Sequence, residues 1–458
     1  MFIRKISFFI YPFAIFLLAF SIRFFYINFV DIGGGDVDFY RSVASNINAG
    51  LGFSFCENEK CRPIVGLYFP GYFYFLAFLN ILHSDPKFPL FIIAFLTSLS
   101  LTYLYFSLKS FLINSDAQIF LIVLVMSISP LSIGFSRLHL IEPVLYIFSL
   151  IILSFALRYS KSIKYFIYSV LVFTLAIYFK PTFILFGSVL ILFAFFSYGF
   201  YRGSRYLILS GIFCLIVILP WELRNINLSN SSLLSASSNI HVIDKGLQKW
   251  VNTWAISEYQ RADVVFKDKY ISYPRLNFSS SYFLSTTDID NANKIIKSHH
   301  HDSSWTKLVD DKFYTLANEK LANYSLIDFS LLRTSQFITS LFHPGQSWGF
   351  PVSLDNSLPY LSLSNISKLT VKFFIWIYKT TLFLFFGYIF FKLFSSVTHS
   401  LSGYKILVAS AFVLLFSTLF LFFFVFYFLE HRYLLPIIPF LELASLLFVF
   451  KFKATLYQ

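Results

Sequence analysis

Apolar runs of about twenty residues, each the length a helix needs to cross hydrocarbon, recur along this chain. They leave little choice of fold. In a bilayer every backbone N–H and C=O must be paired within the protein, so such runs become helices. The runs lie at 6–28, 88–108, 116–134, 139–157, 162–179, 182–198, 205–222, 370–394, 404–428 and 433–451. They predict an all-α polytopic membrane protein of about ten transmembrane helices, with extracytoplasmic loops that bear juxtamembrane helices. Composition agrees: 57% of residues are hydrophobic and only 13% charged, about half the charged share of a soluble domain.

The net charge of +13 would suit a nucleic-acid partner, but its distribution points to the bilayer. With the N-terminus (Arg4, Lys5) in the cytoplasm, the inside joints hold Lys109; Arg158, Lys161 and Lys164; Arg202 and Arg205; Lys405; and Lys451 and Lys453. Every short inside joint is then basic, as cytoplasmic loops are. Both termini are placed in the cytoplasm, the membrane is the cytoplasmic (inner) one, and no nucleic acid is expected. The first run is too long, and lacks a small-residue cleavage site, for a removed signal peptide.

This topology divides the chain into 1–222, an N-terminal transmembrane module with a long first outside loop at 29–87; 223–369, a large polar outside segment; and 370–458, the last transmembrane helices. Within 223–369 the stretch "NLSNSSLLSASSN" reads as a flexible linker. "TKLVDDKFYTLANEKLANYSLIDFSLLRTSQFITSLF" has helical periodicity with an apolar face. Cys56 and Cys61 in "CENEKC" suit a local disulfide in an oxidising compartment. A half-built metal site is the alternative there, without a histidine to complete it. Cys214 lies within a span and reads as a small core residue.

Charges gather at the outside ends of the spans. Asp36 and Asp38 follow the first span. Arg137, His139 and Glu142 sit in "FSRLHLIEP", Lys180 in "YFKPTF", Glu222 and Arg224 in "LPWELRN", and Glu430, His431 and Arg432 in "FLEHRYLLP". Singly, each reads as an interfacial anchor. Five clusters at one depth, on the face that should be poor in Lys and Arg, point to a shared polar site. A lipid phosphate fits such a site. Arg224, Arg432 and Lys180 are the candidates to hold the phosphate, and a carboxylate would act as general base on an acceptor hydroxyl. If the phosphate carries a sugar, it is already a good leaving group, and one base suffices, unlike the carboxylate pair of glycoside hydrolysis.

The residues that follow the first span carry a resemblance. "GDVDFYRSVASNINAGLGFSF" resembles the first outside loop of the glycosyltransferase-C superfamily. The branch is that of the bacterial and archaeal relatives of the polyprenyl- or dolichyl-phosphate-mannose protein mannosyltransferases and the aminoarabinose lipid A transferase. The matching positions are Asp36, Tyr40, Ala44, Gly50, Gly52 and Phe53. "YFPGYFYFLA" is similar to the Pro-Pro-Gly-Tyr segment that follows, with Phe69 in place of the first proline. "SRLHLIEPVLYIF", "FKPTFILF", "ILPWELRN", "KWVNTWA" and "EHRYLLPIIPFLELA" resemble later segments in the same order.

The resemblance implies an inverting membrane glycosyltransferase that takes a sugar from a polyprenyl-phosphate donor and passes it to a glycan, lipid or protein hydroxyl. It implies that Asp36, one helical turn before Tyr40, is the base. Asp36 also suits the N-cap of a helix starting near residue 37. Asp38 reads as a first-turn dipole partner or an acceptor-orienting group, and Glu142 as a second acid or a helix-end residue before Pro143. Tyr40, Arg137, His139 and His431 are candidates to line the site. No cofactor is required by any motif. A divalent metal has no clear ligand set: "SHHHD" at 298–302 places adjacent histidines in a polar stretch, where they do not converge. Trp250 and Trp254 share a helix face, for packing or for stacking on a sugar. Other readings of the chain are a lipid-linked glycan flippase, which calls for charges in mid-helix and interrupted helices, and a scaffold of a glycan-assembly complex.

Overall fold

The computed structural model describes residues 2–29, 36–57, 60–64, 69–112, 116–229, 245–257, 260–261, 264, 281–297, 307–342, 365–395, 403–420 and 431–450. In chain order the main elements are α1 (Phe2–Phe29), α2 (Asp36–Asn48), β1 (Ser54–Glu57), β2 (Lys60–Pro63), α3 (Gly71–Leu82), α4 (Phe88–Phe111), α5 (Asp116–Ser127), α6 (Pro130–Ile133), α7 (Glu142–Ala156), α8 (Ile163–Phe179) and α9 (Gly187–Ser229). They continue with α10 (Lys245–Val251), α11 (Thr286–Lys297), α12 (Lys307–Ala322), α13 (Leu326–Phe342), α14 (Asn365–Ser395), α15 (Gly403–Phe420) and α16 (Ile438–Val449). The chain divides into two compact units. One is Met1–Ala236, Gly345–Phe416 and Leu434–Gln458; the other is Ser237–Pro344 and Ser417–Tyr433.

The first unit is a helical bundle. Among the described residues six stretches are long and apolar enough to cross a membrane: Phe9–Phe29, Phe88–Phe111, Glu142–Lys161, Pro181–Leu228, Thr370–Leu393 and Arg432–Val449. Several helices start with proline in the first turn, at Pro89, Pro130, Pro143 and Pro439, where its missing N–H has no helical partner to lose. Hydroxyls within the bundle bond back to their own helix, as Thr97, Ser98, Ser149 and Thr174 do to the carbonyls four residues earlier. That pairing lets small polar residues sit in an apolar setting.

The described parts of the expected runs are mostly helical, with 421–428 and 451 lying outside the described residues, and the crossings are not all simple rods. The run at 116–134 is broken: α5 and the segment Pro130–Arg137 meet at 43°. Ile163–Phe179 and Tyr404–Phe420 are shorter apolar helices. Pro181–Leu228 is continuous in sequence yet divided at Gly199, whose φ of 72° is a conformation glycine adopts without strain. The chain turns back there, and a Cβ at Gly203 would lie 3.3 Å from the Ala194 carbonyl oxygen. Two arms result, in line with the expected runs 182–198 and 205–222.

The second unit has its own core. Trp250 and Trp254 are fully buried, their ring centroids 5.7 Å apart, with Phe313 of α12 at 5.5 Å from Trp250. Both tryptophans therefore pack, and neither face is offered to a sugar. The Asp310 carboxylate of α12 accepts hydrogen bonds from the N–H groups of Gly246 and Leu247. It supplies from a distant segment the cap that the first N–H groups of α10 need. Gly246 is required by contact, since a Cβ would run into the Asp310 carbonyl oxygen.

Candidate functional site

The loop after α1 folds as α2, a two-stranded hairpin and α3. The hairpin pairs Cys56 with Cys61, and a disulfide joins them. Gly50 and Gly52 have φ of 78° and 68°, so "GLGF" is a turn from α2 into β1. That turn delivers Phe53 to a buried position against Phe73 (5.1 Å) and Trp221 (5.2 Å).

Helix α2 is two-faced. Val37, Tyr40, Val43 and Ala44 are buried. Asp38, Arg41, Ser42, Ser45 and Asn48 recur three or four residues apart, so they share the opposite face. That polar face lines a cleft of about 440 Å³ with Asn80, Ser84 and His139. His139, which belongs to the short link between the broken helix and α7, is 1% exposed. Among the described residues its ring has no side-chain hydrogen-bond partner, and its one polar contact is with the Pro86 backbone. Burial lowers its pKa to about 4, the Pro86 backbone works against that shift, and the Arg41 charge adds to it. The imidazole is therefore neutral at pH 7, able to give one hydrogen bond and accept another. The unfolded chain takes up this proton near the ordinary value of 6.5, the folded protein only near 4. The contribution of His139 to stability is thus full above about 6.5 and is lost as pH falls toward 4. Unfolding curves of wild type and His139→Leu should differ in pH dependence over that window and run parallel above it.

The buried face of α2 leads elsewhere. Tyr40 meets Tyr72 of α3 edge-on at 5.2 Å. Burial and the nearby Glu142 carboxylate both push the Tyr72 phenol pKa well up. Glu142 opens α7 and pairs with Lys180, Oε1 to Nζ, at 2.6 Å. The Glu142 side chain is 2% exposed and that of Lys180 19%. Gly71 explains how Tyr72 reaches this pair. A Cβ there would lie 2.8 Å from the Tyr178 carbonyl oxygen and 2.7 Å from the Phe179 ring, so only glycine lets α3 abut the end of α8. Gly71→Ala is expected to reduce stability by about 1–3 kcal/mol, as overpacking does, measured by unfolding in detergent.

The remaining sequence candidates are placed as follows. Asp36 is the first residue of α2, one turn before Tyr40; its side chain lies outside the described residues, as do Glu430 and the His431 side chain. Residues 298–302 also lie outside them. Arg224 donates to the Ile64 carbonyl at 3.0 Å, and its guanidinium lies 4.4 Å from the Trp221 ring centroid and 5.5 Å from that of Phe53. It therefore ties α9 to the hairpin. Glu222 is buried on the same helix. Arg137 contacts the Tyr26 hydroxyl. Arg432, in the second unit, sits over the Tyr433 ring at 5.3 Å. The first unit thus brings Tyr40, Glu142 and Lys180 around Tyr72, and Asp38 and His139 into the cleft on the other side of α2. Among the described residues no group of three or more His, Cys, Asp or Glu could hold a metal ion.

Sequence reasoning missed two charged residues. Arg23 of α1 and Glu442 of α16 are each 1% exposed within the bundle. The available signal was a lone Arg in "FSIRFFY" and a lone Glu in "PFLELAS", ionisable residues inside apolar runs. Charge is therefore not confined to one rim.

No protein-family model matches the chain, and no curated protein does. Among solved structures it is similar to ArnT from Cupriavidus metallidurans bound to undecaprenyl phosphate, at 13% identity and a TM-score of 0.40, over 94% of this chain and 77% of that one.

Proposed function

We propose that the protein is an inverting membrane glycosyltransferase acting at the outer face of the cytoplasmic membrane. Its donor is a sugar on a polyprenyl phosphate, and its acceptor a hydroxyl of a glycan, lipid or protein. The observation that carries this reading is the loop after α1. There a helix that opens with Asp36 sets Tyr40 against Tyr72, beside the Glu142–Lys180 pair, and lines a polar cleft with its other face. The ordered motif resemblance supports the same reading.

In the proposed step the acceptor oxygen attacks the anomeric carbon and the carbon–oxygen bond to phosphate breaks. Polyprenyl phosphate leaves with the electron pair, the configuration inverts, and the Asp36 carboxylate takes the hydroxyl proton. Lys180 and Arg224 of the first unit are assigned to the lipid phosphate, whose charge they oppose. Glu142 orients Lys180. The cleft seats the acceptor, with Asp38 and neutral His139 as partners for its hydroxyls.

A flippase for a lipid-linked glycan is the second reading. The broken helix and the buried Arg23 and Glu442 favour it, since interrupted helices and mid-bundle charges mark transport paths. One experiment separates the two. Protein in liposomes is given a panel of short-chain polyprenyl-phosphate sugars with membrane extract as acceptor. Free polyprenyl phosphate is expected from the productive donor. Intact donor crossing between leaflets, with no free polyprenyl phosphate, would replace the transferase by the flippase.

A further inference from the structure

Arg23 and Glu442 come from the first and last helices of the bundle, and both converge on the break in the helix between them. The break leaves the Ser127 carbonyl at the end of α5, where helix geometry supplies no N–H partner. Arg23 Nη1 donates to that carbonyl at 3.1 Å and to the Ala19 carbonyl at 3.0 Å, and Nη2 donates to Ser132 Oγ at 2.8 Å. A cation at a helix C-terminus is also favoured by the helix dipole. On the far side of the break Ser129 precedes α6, and its side chain makes no capping bond to that helix. Its hydroxyl instead donates to Glu442 Oε1, which also accepts from Tyr378 at 2.8 Å. Pro130, next in line, has no N–H to give. Arg23 thus bridges the break, from the Ser127 carbonyl on one lip to the Ser132 hydroxyl on the other, while Glu442 holds the far lip through Ser129.

The position of this break determines what lies beyond it. The outer segment runs only from Pro130 to Arg137. It is followed by His139 in the cleft and by Glu142, paired with Lys180. Burying these charges is costly even when hydrogen bonds offset it, a cost that an apolar set of the same volume would not carry. Their presence calls for a role other than stability. We propose that Arg23 and Glu442 are positioning residues that hold the bent helix at its break and so hold His139 and Glu142 in register with α2 and α3. The effect of this positioning on turnover rests on the glycosyltransferase reading; the positioning itself does not.

The test uses the full chain in nanodiscs, with Arg23→Leu, Glu442→Leu and the double variant. The single variants and the double should unfold at lower temperature, because the carbonyl and hydroxyls that the two side chains hold at the break lose their partners. The double variant should also lose roughly 10-fold or more in kcat for release of polyprenyl phosphate, with KM little changed, as displacement of a positioned group does. Glu442→Gln keeps an acceptor for Ser129 and Tyr378 and should retain turnover close to wild type. A second readout needs no substrate: Leu138→Cys, in a Cys214→Ser background, is labelled with a soluble maleimide. The labelling rate should change in the double variant and not in Glu442→Gln. A folded double variant with wild-type turnover and wild-type labelling would overturn the proposal. Absent turnover in every protein, wild type included, would count against the glycosyltransferase, while the labelling rates would still decide the positioning.

Discussion

Lys180→Met is expected to destabilise the protein by about 3–5 kcal/mol, the range for removing one partner of a buried ion pair. The Glu142 carboxylate lies 2.6 Å from Lys180 Nζ and is 2% exposed, so the lysine's loss removes a counter-charge that water cannot replace. Lys180 is itself only 19% exposed, so solvent screening discounts the pair less than it would on a surface. The geometry predicts a specific cycle. Glu142→Gln alone leaves the ammonium without its carboxylate and also destabilises, while Glu142→Gln with Lys180→Met recovers most of the stability, because no unpaired charge is left. Equilibrium unfolding in mixed micelles measures all four proteins. Single variants within about 1 kcal/mol of wild type would place the pair in high-dielectric surroundings and remove the reason to treat it as part of a buried site.

How much of this was legible in the sequence depends on how local each feature is. The spans follow from run length alone, because a bilayer accepts few other structures. The hairpin disulfide follows from two cysteines in one short polar loop. The helix that begins at Asp36 was legible from the spacing of Asp36 and Tyr40, and its two faces follow from helical periodicity. Contacts between distant segments were not legible. Nothing near Glu142 announces that Lys180 is its partner, and nothing near Gly71 announces that the Tyr178 backbone lies against it. The break at Ile128–Ser129 has a local cue, "SISPLS", but an apolar run reads as one rod until Arg23 and Glu442 are seen to hold its two lips. Arg224 carried the opposite lesson. Its charge was noticed, yet in the structure it also packs on Phe53 and Trp221, a stacking role that charge patterning does not reveal.

Asp36→Asn is expected to lower donor turnover by roughly 10²–10⁴-fold, the usual contribution of a general base. The substitution separates the two roles open to this residue. Asparagine caps a helix as well as aspartate does, so α2 should form and the protein should unfold as wild type does. Asparagine cannot take up the acceptor's proton. Asp38→Asn removes a carboxylate from the cleft and, if the cleft seats the acceptor as proposed, should raise the acceptor KM more than it lowers kcat. Release of free polyprenyl phosphate, followed side by side for wild type and Asp36→Asn in nanodiscs with the productive donor, is the direct measurement. Release by wild type, abolished in a folded Asp36→Asn protein, is the predicted result. Equal release by both would contradict the assignment of Asp36 and move the base to the cleft side of α2, to Asp38, or to Glu142.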